Sequence, residues 1–122
     1  MAKEPAYTYS IEIVKIVDGD TVDVFIDLGF HITIKKRVRL QGINAPESRT
    51  RDLSEKKKGL ASKARLREMC SAEEFGEPKL VLKCHGLGKY GRVLGEIFNH
   101  NCSINRMMVL EGFAEKYDGG KR

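Results

Sequence analysis

Ile16-Val17-Asp18-Gly19-Asp20-Thr21-Val22-Asp23-Val24-Phe25-Ile26-Asp27-Leu28 is the stretch from which the fold can be read. Val22, Val24, Ile26 and Leu28 alternate with other residues, the period-two pattern of a strand with one face on a core. Asp18-Gly19-Asp20 breaks the pattern with the residues of a tight turn. Before the turn, Ile11, Ile13, Ile16 and Val17 give a mostly alternating apolar face from Tyr7 onward. After it, Gly29 marks a second turn, and Ile32, Ile34, Val38 and Leu40 read as a third strand. The first third of the chain is therefore an antiparallel meander.

Outward from the meander, Arg39-Leu40-Gln41-Gly42-Ile43-Asn44-Ala45-Pro46-Glu47 leaves the third strand in a turn. Pro46 fixes its own φ and pushes Ala45 out of helical space. Ser48 to Lys58 shows no periodicity and reads as a charged loop, followed by a helix from about Gly59 to Ser71 with Leu66, Met69 and Cys70 on one side. Glu73 to Pro78 is a connector. Leu80, Leu82 and Cys84 form a fourth strand, a turn carries Gly86 and Gly88, and Val93, Leu94, Ile97 and Phe98 form a fifth. Asn101 to Ser103 supplies helix-start chemistry for a short second helix that Gly112 ends. The order β-β-β-α-β-β-α predicts a β-rich α+β fold, a five-stranded Greek-key barrel of the OB type. One domain is expected over 1–122, with a core from about 10 to 113 and loose ends at 1–6 and 118–122.

No apolar run is long enough to span a membrane and no secretory apolar region follows Met1, so a soluble, cytoplasmic protein is expected. The three cysteines, Cys70, Cys84 and Cys102, have no CxxC spacing and read as reduced core thiols. His31, His85 and His100 are too scattered for a metal set. The net charge of +5 is concentrated: Arg49 to Arg67 holds eight basic residues against two acidic ones, and the rest of the chain is nearly neutral. Such a run is either a solvated face or the electrostatic footprint of a polyanion.

The same residues carry chemistry. Arg39 near a strand end and Glu47 just past the next turn pair a cation for a phosphate with a base for a water. Arg92 adds a second planar guanidinium, suited to paired hydrogen bonds with phosphate oxygens, and Gly91 before it allows close backbone approach. Taken alone, Asp20 is an ordinary turn aspartate, and each arginine an ordinary strand residue.

Three segments standing in order carry a stronger signal: Ile16 to Val22, Arg39 to Glu47, and Lys89-Tyr90-Gly91-Arg92. In these the chain resembles the staphylococcal nuclease (thermonuclease) family, over roughly Ser10 to Phe113. The resemblance implies the same OB barrel and an endonuclease-type phosphodiesterase acting on DNA or RNA with little sequence preference, leaving 3′-phosphate ends. It implies Ca²⁺ held by Asp20, by residue 44 and by the main-chain carbonyl of Ala45, with Asp18 supporting the turn or the outer shell of the metal. It makes Arg39 and Arg92 the phosphate-binding arginines and Glu47 the general base. It places Lys89, Tyr90 and Tyr117 against the nucleotide, and the charge run beginning at Arg49 and Arg51 is expected to be the substrate track beside them. Nucleic acid is the expected partner, with no membrane, and a monomer is expected. The chain departs from the family at Asn44, where an aspartate is usual; an amide oxygen coordinates Ca²⁺ without adding charge, so another divalent ion is open there. The alternative is an OB module that binds nucleic acid without cutting it.

Overall fold

The computed structural model describes residues 7–71, 80–88 and 91–117. The loose ends expected at 1–6 and 118–122, the connector Glu73 to Pro78, and Lys89 and Tyr90 lie outside the described residues.

The meander is present as β1 (Tyr7–Asp18), β2 (Thr21–Asp27) and β3 (Thr33–Leu40). β2 pairs antiparallel with both neighbours, and Val22, Val24 and Ile26 are buried as their alternation requires. Register shifts after Ile13 and after Ile16 account for the imperfect alternation of β1. β4 (Ile43–Asn44) follows, then α1 (Leu53–Cys70), β5 (Leu80–Leu87) and β6 (Val93–Asn99). β7 (Cys102–Ser103), α2 (Ile104–Leu110) and β8 (Glu115–Lys116) complete the order. β1 pairs with β5, β5 with β6, and β6 returns to pair parallel with β3 through Val38↔Val93, Arg39↔Leu94 and Leu40↔Gly95. That last pairing closes the five long strands into the expected OB barrel.

Leu40, Leu82, Ile97, Val22, Val24 and Val38 fill the interior, with Leu66 of α1 and Met108 of α2 packed into it. Asn105 of α2 stitches the seam between β3 and β6. Its amide donates to the carbonyls of Gln41 (2.9 Å) and Gly95 (3.1 Å), and its oxygen accepts the Ile97 N–H at 3.1 Å. Every hydrogen-bonding group of this buried side chain is thus matched, which spares the seam an unsatisfied polar group.

Three expectations are corrected. The helix begins at Leu53, six residues before Gly59, because Asp52 caps it by accepting the N–H groups of Ser54 and Glu55. Gly86 lies inside β5, at a register shift and with φ 146°, so the turn starts only at Gly88, whose N–H donates to the Arg92 carbonyl. Of the three cysteines only Cys70 is a core thiol, pushed up to about 12 by burial; Cys84 is half-buried and Cys102 exposed. Among the described residues no helix is long and apolar enough to cross a membrane.

Candidate active site

Asp20 ends the turn between β1 and β2 and is buried. Its Oδ1 accepts the Thr21 hydroxyl at 2.9 Å, so that hydroxyl serves the carboxylate. Its Oδ2 accepts the Ala45 N–H at 2.8 Å and lies 3.6 Å from Nη2 of Arg39. Thr21 and Arg39 are direct partners across β2 and β3, which is why two segments far apart in sequence share one carboxylate. Arg39 is fixed further by donating Nη1–H to the Leu40 carbonyl at 2.8 Å.

Tyr117 joins this group. β8 pairs antiparallel with β4, through Ile43↔Lys116 and Asn44↔Glu115, and the Tyr117 N–H donates to the Gly42 carbonyl at 2.8 Å. Its ring centroid comes to 6.0 Å from Cζ of Arg39, at the edge of cation–π range.

Asn44 stands where the metal ligand was expected, and its Oδ1 is buried without a hydrogen-bond partner. A buried carbonyl-type oxygen left unmatched costs free energy unless a donor or cation meets it. Together with the Asp20 carboxylate, joined to the next residue through the Ala45 N–H, it makes a hard-oxygen donor set that fits Ca²⁺. Among the described residues no three His, Cys, Asp or Glu side chains gather into a metal cluster.

Glu47 is exposed, but its backbone is clamped from two sides. Asp18 Oδ1 accepts both the N–H of Ser48, at 3.2 Å, and the Ser48 hydroxyl. On the other side α1 presses against the turn at Gly59, where a Cβ would lie 2.2 Å from the Glu47 carbonyl oxygen and 2.6 Å from the Ser48 nitrogen. Gly19 makes a similar approach: a Cβ there would lie 2.7 Å from Cβ of Ser62 and 3.0 Å from Cβ of Ala45. The first turns of α1 thus dock through small residues onto the motif loops. Such contacts need small side chains, so the start of the helix lacks the apolar spacing that marks its far end.

Arg92 is half-buried immediately before β6 and shares a cleft of about 770 Å³ with Thr21, Asp18 and Arg49. Arg51 is exposed. The structure therefore brings together Asp20, Arg39, Asn44, Ala45 and Tyr117 at one place, and Arg92 and Arg49 at the adjoining cleft, with Glu47 on the turn between. Sequence reasoning missed Ser48, Gly59 and Ser62. Only Asp52-Leu53-Ser54-Glu55, a helix-capping pattern, signalled that the helix reaches back to these loops.

A family model described as Staphylococcal nuclease homologue matches residues 37–121, well over half of the chain. The chain belongs to that family. Among curated proteins, the micrococcal nuclease of Shigella flexneri is 34% identical over 115 residues, covering 87% of this chain and 57% of that relative. The chain thus spans a little over half the length of the curated relative it matches. Of the three segments that carried the resemblance, Arg39 to Glu47 and Lys89 to Arg92 lie inside the matched region, and the Asp18-Gly19-Asp20 turn precedes it.

Proposed function

We propose that this family member is a Ca²⁺-dependent nuclease that hydrolyses phosphodiester bonds of DNA or RNA with little sequence preference, expelling the 5′ oxygen and leaving 3′-phosphate ends. The observation that carries the reading is the meeting of Arg39 and the Ala45 amide on one oxygen of Asp20, with the unmatched Asn44 Oδ1 on the next residue. A barrel that only binds nucleic acid has no need to concentrate a buried carboxylate, an orphaned oxygen and a guanidinium there.

Asp20, Asn44 and the Ala45 carbonyl would hold the ion. When bound, Ca²⁺ would polarise the phosphate and favour ionisation of a nearby water. Arg39, already oriented by the Leu40 carbonyl, would turn its planar guanidinium to the phosphate. Arg92 approaches from the adjoining cleft, and two guanidiniums suit the charge that grows on a phosphate under attack. Glu47, held by its backbone and open to solvent, accepts the proton of the attacking water. Tyr117 offers an aromatic face beside Arg39 for a sequence-tolerant stack on a base. Lys89 and Tyr90 are assigned to the nucleotide on the family resemblance alone.

Incubation of end-labelled single- and double-stranded DNA with the protein tests this reading, with Ca²⁺, with other divalent ions and with chelator. Cleavage that needs the metal, yields phosphatase-sensitive 3′ ends and falls roughly 10²–10⁴-fold in Glu47→Gln supports it. Binding without cleavage under every ion overturns the hydrolase and leaves the binding module, the reading favoured by the missing charge at Asn44.

A further inference from the structure

The barrel seam opens at one point, and the opening is cationic. β3 and β6 run parallel and pair only from Val38 and Val93 onward. Arg37 on β3 and Arg92, just before β6, stand where the strands part, so among the described residues Thr33 to Arg37 have no strand partner on that side. Lys36 has the same parity as the buried Val38 and Leu40, yet it is exposed because the seam has parted. The resulting cleft, about 770 Å³, is lined among the described residues by Lys35, Lys36, Arg37, Arg49 and Arg92 against the single acid Asp18. Asp18 is already engaged by Ser48, and Arg37 shares its charge with Asp23. Lys35, Lys36 and Arg49 enter no ion pair among the described residues.

A second cleft of about 670 Å³ flanks the same loops on the side of α1. Among the described residues it is lined by Asn44, Asp52, Glu55 and Glu115, with Lys58 as its only basic residue. Two openings of similar size thus leave the Asp20–Asn44 centre, one strongly basic and one acidic. A polyanion would be drawn to the first and repelled from the second.

We propose that the seam cleft seats the phosphates of a single strand flanking the scissile linkage, bound by Lys35, Lys36 and Arg49 beyond Arg92. This rests on nucleic acid being the ligand of the site. It moves the substrate track from the run Arg49 to Arg67, where it was expected, to the open edge of β3. Helix formation has dispersed that run: Arg65 is spent on Glu111 and Glu68, Lys58 faces the acidic cleft, and Lys63 and Arg67 line a separate groove beside β1. Lysines on an open strand edge also discourage edge-to-edge pairing. That need does not account for Arg49 and Arg92, which reach the same cleft from other parts of the chain.

The test is the affinity of the protein for a labelled single-stranded oligonucleotide in chelator, measured against salt concentration. Lys35→Gln/Lys36→Gln is expected to lower the slope of log K against log salt by about 1.4, and Arg49→Gln by about 0.7. Lys56→Gln/Lys57→Gln on α1 is expected to leave it unchanged. An unchanged slope in both cleft variants, or an equal fall in the α1 variant, overturns the proposal, and Arg49→Gln keeps it testable should the strand variant fold poorly. A wild-type protein that cleaves while the cleft variants keep the full slope retains the nuclease reading and loses the cleft. One that binds through the cleft without cleaving in Ca²⁺ loses the nuclease reading and keeps the cleft, and one that does neither loses both.

Discussion

The Asp18 carboxylate accepts the backbone N–H and the hydroxyl of Ser48, thirty residues further along the chain. Asp18 thereby holds the residue after Glu47. Asp18→Ala should therefore lower kcat by about 10–100-fold with little change in KM, since small misplacements of a reacting group are costly. Loss of a hydrogen bond to a charged group should also cost about 1.5–3 kcal/mol of stability. Steady-state kinetics and urea melts check both, and a variant that raises KM alone would show that Asp18 serves substrate binding.

Gly59→Ala sets two effects in opposition. Alanine is favoured over glycine inside a helix by about 1 kcal/mol. Its Cβ, however, would lie 2.2 Å from a backbone oxygen of Glu47, and backbone cannot swing aside as a side chain can. The steric effect should win, giving a net loss of roughly 1–3 kcal/mol and a large fall in activity. A variant as stable and as active as wild type would mean that α1 docks less tightly than the geometry states. Thermal melts and cleavage rates decide it.

Asn44→Asp should strengthen Ca²⁺ binding by at least about tenfold, because it adds a formal charge beside Asp20. Without metal the same change places two carboxylates close together and should lower Tm. The predicted signature is a crossing: Tm below wild type in chelator, with a larger rise on adding Ca²⁺. Calorimetric titration and melts in both conditions test it, and unchanged Ca²⁺ affinity would remove residue 44 from the ligand set.

Stability at low pH should report the Arg37–Asp23 pair. The Arg37 hydrogen bonds hold the Asp23 carboxyl below its ordinary value of 3.8. A depressed folded-state pKa contributes stability that is present above the unfolded value and lost as pH falls through the folded one. With the Arg37 side chain 49% exposed, screening limits the contribution to about 0.2–1 kcal/mol. Denaturant melts of wild type and Arg37→Ala should differ by that much above pH 3.8 and converge below it. A difference that persists in acid would assign the effect to packing of the arginine stem.

The barrel was legible because its strands obey a simple period. Val22, Val24 and Ile26 face inward as their alternation states, and the Asp-Gly-Asp turn sits where the alternation breaks. The parallel closure of β3 on β6 left no local mark, since such a pairing depends on shape and not on any neighbouring residue. Asp20, Arg39 and Arg92 were legible from their motifs. The clamp on Glu47 was not: Ser48, Gly59 and Ser62 are small residues whose value lies in what they allow to approach. The first turn of α1 was lost for the same reason, its docking face lacking the apolar side chains that periodicity detects.

The approach of Gly59 to Glu47 also bears on how the proposed activity would be lost on warming. α1 reaches the interior chiefly at its far end, through Leu66, Met69 and Cys70, while its first turns hold the active loop by surface fit. Elements that bury little apolar surface open at lower free energy than the core does. Fraying of that helix start would free the Glu47 turn while the barrel stays intact. Amide exchange around residues 53–59 should then track inactivation, ahead of any change in the strands.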